Sequence, residues 1–170
     1  MQLKQIGTDF YQILNVFDEE TYNLICREFA HKHTWNVLNQ GDTERLEGTL
    51  SFSVQLKEIE IAINDYFGEP CYPNTPQLWY DRAGYINEVH KDLSPNLQAN
   101  VQIYLGEGDT DMGTHCFIDG EWMSVPYIMN YGYLMFNPTK HDHGMKTPVI
   151  RERYSLYQSY RLTEEPSPIW

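Results

Sequence analysis

Residues 77–92 read QLWYDRAGYINEVHKD, and residues 97–105 read LQANVQIYL. At Gln77 the hydrophobic pattern changes to a period of two, the spacing of a strand with one face buried. The same pattern recurs downstream in Gln77–Asp81, Leu97–Leu105, Thr114–Ile118, Trp122–Val125, Gly132–Phe136 and Tyr154–Leu162. Gly, Pro, Asn and Asp punctuate these runs at short intervals. That rhythm predicts an antiparallel sandwich or barrel.

Upstream the period differs. A short strand is expected at Phe10–Val16, then a helix capped by Asp18. Glu19 and Glu20 suit its positive end, and Phe17 with Tyr22 has staple spacing. Leu56, Ile59, Ile63 and Phe67 lie on one stripe of a second helix over Ser53–Phe67, stopped by Gly68. Asn39–Thr49 reads as a long exposed loop, suited to a lid. CYPNTP (Cys71 to Pro76) reads as a turn, and the tail EEPSPIW as irregular. The expectation is an α+β, mainly β chain with N-terminal helices packed on one sheet. Residues 1–170 form one domain, with 1–76 as helical support and 77–162 as core.

Composition fits. The chain has 170 residues, 41% hydrophobic and 14% aromatic, so it can bury a real core. Its formal charge of -12 repels phosphate backbones and anionic lipid, which argues against nucleic-acid and membrane partners. No apolar run approaches the ~20 residues of a membrane span. Cys26, Cys71 and Cys116 are odd in number and widely spaced, which suits a reducing cytoplasm.

Chemistry concentrates at His90-Lys91-Asp92. On an extended segment, residues two apart face the same way, so an imidazole and a carboxylate converge. KHDHGM (Lys140 to Met145) follows the Gly132–Phe136 strand with further histidines. Two His and one Asp from neighbouring strands can occupy one face of an octahedral ion and leave the other open, as in non-haem Fe(II) oxygenases. Arg153 follows ten residues after His143 and can clamp a carboxylate with its guanidinium fork. His141 and Arg151 have the same spacing as His143 and Arg153. Asn100 and Gln102 alternate on the strand leading to Tyr104, on either the inner or the outer face. His31, His33 and His115 read as capping, exposed or packed histidines.

The ordered set Tyr80, His90-x-Asp92, Tyr104, Gly113-Thr114, Gly132 to Pro138, His143-Gly144 and Arg153-Tyr154 resembles the Fe(II)/2-oxoglutarate-dependent dioxygenases. The likeness covers about residues 77–162 and is to their prolyl-4-hydroxylase-like branch, in its compact bacterial and phage form. It implies a double-stranded β-helix, the jelly-roll shared with cupins. It implies that His90, Asp92 and His143 ligate Fe(II) and that Arg153 pairs with the distal carboxylate of 2-oxoglutarate. Tyr104 would hydrogen-bond that carboxylate, Tyr80 would line the pocket, and Thr114 would sit before an inward strand. The Gly after His143 and the aromatic after Arg153 favour this pair over His141 and Arg151.

The implied activity is hydroxylation of an unactivated C–H, with release of succinate and CO2 and ascorbate as accessory reductant. A prolyl residue in a peptide or protein is the leading substrate; a free amino acid or other small molecule is the next. Two other classes compete: a cupin-like metal protein without 2-oxoglutarate turnover, and a β-sandwich that only binds a partner.

Overall fold

A computed structural model describes residues 1–31, 35–37, 45–52, 54, 56–94, 96–106, 108 and 110–162. The chain opens with a hairpin of β1 (Gln2–Gly7) and β2 (Phe10–Leu14). The helix α1 (Glu19–Ala30) follows, its N-terminus capped by the Asp18 side chain, which accepts from the Thr21 amide at 2.7 Å. Then come β3 (Asn36–Val37), β4 (Arg45–Thr49), α2 (Lys57–Phe67), β5 (Tyr72–Pro73) and β6 (Gln77–Asp81). The remaining strands are β7 (Leu97–Tyr104), β8 (Thr114–Ile118), β9 (Glu121–Val125), β10 (Gly132–Phe136), β11 (Asp142–Gly144) and β12 (Arg153–Arg161).

The large sheet runs β1-β2-β10-β7-β12-β6-β4-β3, with β5 paired to β12, and the small sheet runs β11-β8-β9. An isolated bridge between His90 and His143 lays the 85–92 segment along the small sheet's edge. This is the expected mainly β jelly-roll, with its two sheets packed but not closed.

Side-chain alternation explains the layers. On β7, Ala99, Val101 and Ile103 join Ile25 of α1 and Ile59 and Ile63 of α2 in one core cluster. Both helices therefore cover the outer face of the large sheet. The opposite residues of β7 point between the sheets, where Tyr104, Tyr133 and Met135 meet Cys116, Ile118 and Val125 of the small sheet. Asn100 and Gln102 share that inner face. A neutral amide there is unusual in a packed core and marks a polar cavity.

Four expectations need correction. β1 precedes the expected first strand; its mostly exposed, polar sequence carries little periodic signal because it is a sheet edge. The second helix starts at Lys57, not Ser53, and no side chain caps it. Its end is as expected: Gly68 adopts a left-handed φ of 71° that other residues avoid. Residues 45–49, read as loop, form β4 and pair with β6, with Arg45 opposite Asp81. The rest of that loop (residues 39–44), His33 and residues 163–170 lie outside the described residues. Within the turn region, Tyr72–Pro73 adds a short pairing to β12.

Candidate metal and co-substrate site

The His90–His143 bridge decides the site's geometry. Both backbone bonds are made, His90 N–H to His143 C=O at 2.9 Å and the reverse at 2.8 Å. Gly144 permits this approach. A Cβ there would lie 2.8 to 2.9 Å from the backbones of Asn87, Glu88 and Val89. The glycine after His143 is therefore a steric requirement of bringing the two histidines together.

The ligand atoms of His90, Asp92 and His143 all lie within 4.8 Å of one another. The His90 ring Nδ1 sits 2.7 Å from the Glu88 carbonyl, and the His143 Nδ1 sits 3.0 Å from the His141 carbonyl. A carbonyl only accepts, so each Nδ1 carries the proton and each Nε2 is left to face inward. Both Nε2 atoms point at one oxygen, Asp92 Oδ1, at 3.5 and 3.6 Å. Those separations are long for hydrogen bonds. The other oxygen, Oδ2, accepts from the Asn100 amide at 3.0 Å, which turns Oδ1 toward the histidines. Burial pushes the His143 pKa down, whereas the neighbouring Asp92 raises that of His90. Neutral His143 thus offers a lone pair toward a carboxylate oxygen. A divalent cation between them satisfies what otherwise repels. An N2O donor set with second atoms tied to backbone carbonyls and an amide fits Fe(II).

Behind this cluster lies a cavity of about 120 Å³, lined among others by Arg45, Trp79, Gln102, Thr114 and Arg153. Arg153 opens β12 and is 1% exposed. Its Nε and Nη2 donate to Asp81 Oδ2 at 2.8 and 2.6 Å, and its Nη1 donates to the Met112 carbonyl at 2.8 Å. Arg45 donates to the same carboxylate, Nε to Oδ1 at 2.6 Å and Nη2 to Oδ2 at 3.1 Å. Burial alone would raise the Asp81 pKa; Arg153 and Arg45 outweigh it and hold the carboxyl below its ordinary range. The Arg45 guanidinium also lies 4.0 Å over the Trp79 ring, which in turn stacks on Tyr157 at 4.0 Å. Two buried polar atoms on this wall, Trp79 Nε1 and Asn100 Oδ1, have no partner among the described residues. Such orphans are expected where a polar ligand completes the bonding.

The structure thus brings His90, Asp92, His143, Thr114 and Arg153 to one cavity. Tyr104 lies behind its wall. The Tyr104 hydroxyl accepts from the Thr114 amide at 2.8 Å and donates to Thr114 Oγ1 at 3.0 Å. Thr114 passes the chain on to Gln102, and Gln102 to Ser155. Tyr104 therefore holds Thr114 and Gln102 in place rather than facing the cavity. Tyr80 is not in the cavity. On β6, Trp79 and Asp81 point inward, so Tyr80 points to the outer face, where it stacks on Tyr154 and donates to Glu152 at 2.5 Å. His141 turns away to Asp9 Oδ2 at 3.0 Å, and Arg151 is exposed. His31 caps the end of α1. His115 faces the outer side of β8, in a separate groove with Val89 and Trp122.

Arg45 and Asp81 escaped the sequence reading. Asp81 ends a strand whose inward parity was legible, and its facing partner is Arg153. Arg45 lay in a segment rich in turn-forming residues, where only the alternation of RLEGT hinted at a strand.

No protein-family model matches the sequence, and no curated protein matches it. Solved structures do. A prolyl-4-hydroxylase from Pseudomonas putida superimposes with a TM-score of 0.73 at 17% identity, over 91% of this chain and 93% of that one. An oxidoreductase of the 2OG-Fe(II) oxygenase family from Burkholderia pseudomallei gives 0.73 at 14% identity, over 95% and 89%. HygX from Streptomyces hygroscopicus, with nickel, 2-oxoglutarate and hygromycin B bound, gives 0.68 at 12%, over 92% and 84%. At these identities the likeness is one of fold. No helix among the described residues is long and apolar enough to cross a membrane. The chain has the jelly-roll fold of the prolyl-4-hydroxylases and 2-oxoglutarate–Fe(II) oxygenases, and its His90–Asp92–His143 cluster fits their metal.

Proposed function

We propose that this protein is an Fe(II)- and 2-oxoglutarate-dependent dioxygenase that hydroxylates an unactivated C–H bond, with a prolyl residue in a peptide as the leading substrate. The convergence of His90 Nε2, His143 Nε2 and Asp92 Oδ1, each with its remote atom already tied down, carries this reading. His90, Asp92 and His143 would hold the metal, and Arg153 would hold the far carboxylate of the co-substrate. When bound, iron and 2-oxoglutarate supply the oxidising chemistry, with succinate and CO2 as products.

The chain's own residues do the rest. Asn100 holds Asp92 Oδ2, so that Oδ1 is the oxygen that would be offered to a metal. The Glu88 and His141 carbonyls fix both imidazole tautomers. The Tyr104–Thr114–Gln102–Ser155 chain stiffens the wall between the metal cluster and Arg153. Arg153 and the cluster line one cavity and so set the reach of a bound keto acid.

The same proposal covers residues 1–170 as one domain, a cytoplasmic setting, and ascorbate as an accessory reductant. The names of similar structures leave both substrate classes in play, since one is a prolyl hydroxylase and another holds hygromycin B. Succinate release discriminates: the iron-loaded protein is incubated with 2-oxoglutarate and proline-containing peptides, then with free amino acids. Peptide-stimulated succinate supports prolyl hydroxylation, and stimulation by a free amino acid alone replaces it.

One observation favours a second reading, a cupin-like metal protein without 2-oxoglutarate turnover. Asp81 already pairs with Arg153, the residue needed as anchor. Metal binding with no 2-oxoglutarate binding would establish that reading.

A further inference from the structure

We propose that Arg45 and Arg153 together seat one carboxylate of the co-substrate, with Asp81 as the positioning residue that sets their spacing. The inference rests on the dioxygenase reading and assigns the far end of its pocket. Both guanidiniums donate to the same oxygen, Asp81 Oδ2, from Arg45 Nη2 at 3.1 Å and Arg153 Nη2 at 2.6 Å. They therefore form one cationic patch, and both side chains line the same cavity.

The three residues are 5%, 0% and 1% exposed (Arg45, Asp81, Arg153). Two buried cations share one buried anion, so the cluster carries a net positive charge. Buried charges are normally balanced, because water cannot compensate them. Glu47, on the same face of β4, is only half-buried; it feels the charge of Arg45 but stands outside the hydrogen-bonded cluster. A ligand carboxylate makes the cluster neutral.

Donors remain for it. Arg45 spends Nε and Nη2 on Asp81, which leaves Nη1. Arg153 spends Nε and one hydrogen of Nη2 on Asp81 and one hydrogen of Nη1 on Met112, which leaves one hydrogen on each Nη. Trp79 and Tyr85 fix the Arg45 fork by stacking at 4.0 and 4.6 Å, so little order is lost on binding. A seat with two forks selects a 2-oxo acid with a second carboxylate over one without.

The test is calorimetric titration of Zn(II)-loaded protein, in which no turnover occurs, with 2-oxoglutarate and with 2-oxobutyrate, which lacks the distal carboxylate. Wild type is expected to prefer 2-oxoglutarate. Arg45→Gln is expected to weaken 2-oxoglutarate on the order of 10- to 100-fold and leave 2-oxobutyrate unchanged. Arg45→Lys keeps a cation beside Asp81 and is expected to fall between, so it carries the test if the Gln variant fails to fold. Wild-type affinity for 2-oxoglutarate in Arg45→Lys and Arg45→Gln overturns the two-arginine seat. So does an equal loss for both ligands. Wild type that binds zinc but neither 2-oxo acid overturns the dioxygenase reading itself, a result distinct from either.

Discussion

The two ends of the cavity hold charge in opposite ways. At the metal end, two imidazole Nε2 atoms and a carboxylate oxygen face one another, each group held by a partner behind it. At the arginine end, Arg45, Asp81 and Arg153 bond directly to one another in full burial. The first arrangement depends on its surroundings and is completed by something the chain does not supply. The second is built from the chain's own residues and supports the fold, and its surplus positive charge is what the proposed carboxylate would balance. Changes at the metal end should therefore cost binding, and changes at the arginine end should cost stability as well.

The largest effect follows from cutting the arginine end at its centre. Asp81→Ala leaves two buried guanidiniums unpaired and should cost about 3–5 kcal/mol, read as the urea midpoint. Near-native stability would show that the pairs are not needed for folding and would erase the contrast. The pH dependence has a definite sign. The folded pKa of Asp81 lies below its ordinary 3.8. Its contribution is therefore complete above that pH and is lost as pH falls through the depressed value. The stability gap between wild type and Asp81→Asn should shrink in that acidic window only.

At the metal end, His143→Ala should lower metal affinity by more than the roughly 10–100-fold typical of losing an outer partner, with the urea midpoint little changed. Asn100→Ala should fall within that outer-partner range, because it frees Asp92 Oδ2 without removing a ligand. His141→Ala should keep substantial metal affinity. The reverse order, with His141 essential and His143 dispensable, would move the site by two residues.

Arg153→Ala acts at the arginine end alone. It should weaken 2-oxoglutarate far more than metal, as seen by titrating each separately. Equal losses would mean that the two ends are not independent. The smallest effect belongs to Tyr80→Phe. Its hydroxyl bonds an exposed Glu152, so stability should shift by no more than about 0.5 kcal/mol and 2-oxoglutarate affinity should stay put. A clear loss of affinity would bring Tyr80 back to the pocket.

The same contrast explains what the sequence disclosed. The metal end is spelled locally: His90 and Asp92 lie two apart on an extended segment, and His143 is marked by Gly144. Each signal has a short-range cause, here alternation and the missing Cβ that admits the 87–89 backbone. The strands of the core were legible because Ala99, Val101 and Ile103 alternate with polar neighbours. The arginine end is written across the chain. Arg45, Asp81 and Arg153 meet only through the register of β4, β6 and β12, and no local pattern encodes a register. Tyr80 shows the same limit. Its spacing from His90 matched the expected tyrosine, but strand parity turned it outward. Tyr104 faces the right way, yet Thr114 stands between it and the cavity.

On the proposed function, one cavity takes a metal at one end and the far carboxylate of 2-oxoglutarate at the other. Anaerobic titration of metal-free protein with Fe(II) and then 2-oxoglutarate tests it most directly, through the weak visible charge-transfer absorption of an iron–keto acid chelate. Absorption is expected only when both are present, and is expected to be lost in His143→Ala. Bound iron without that absorption, at saturating 2-oxoglutarate, would contradict it.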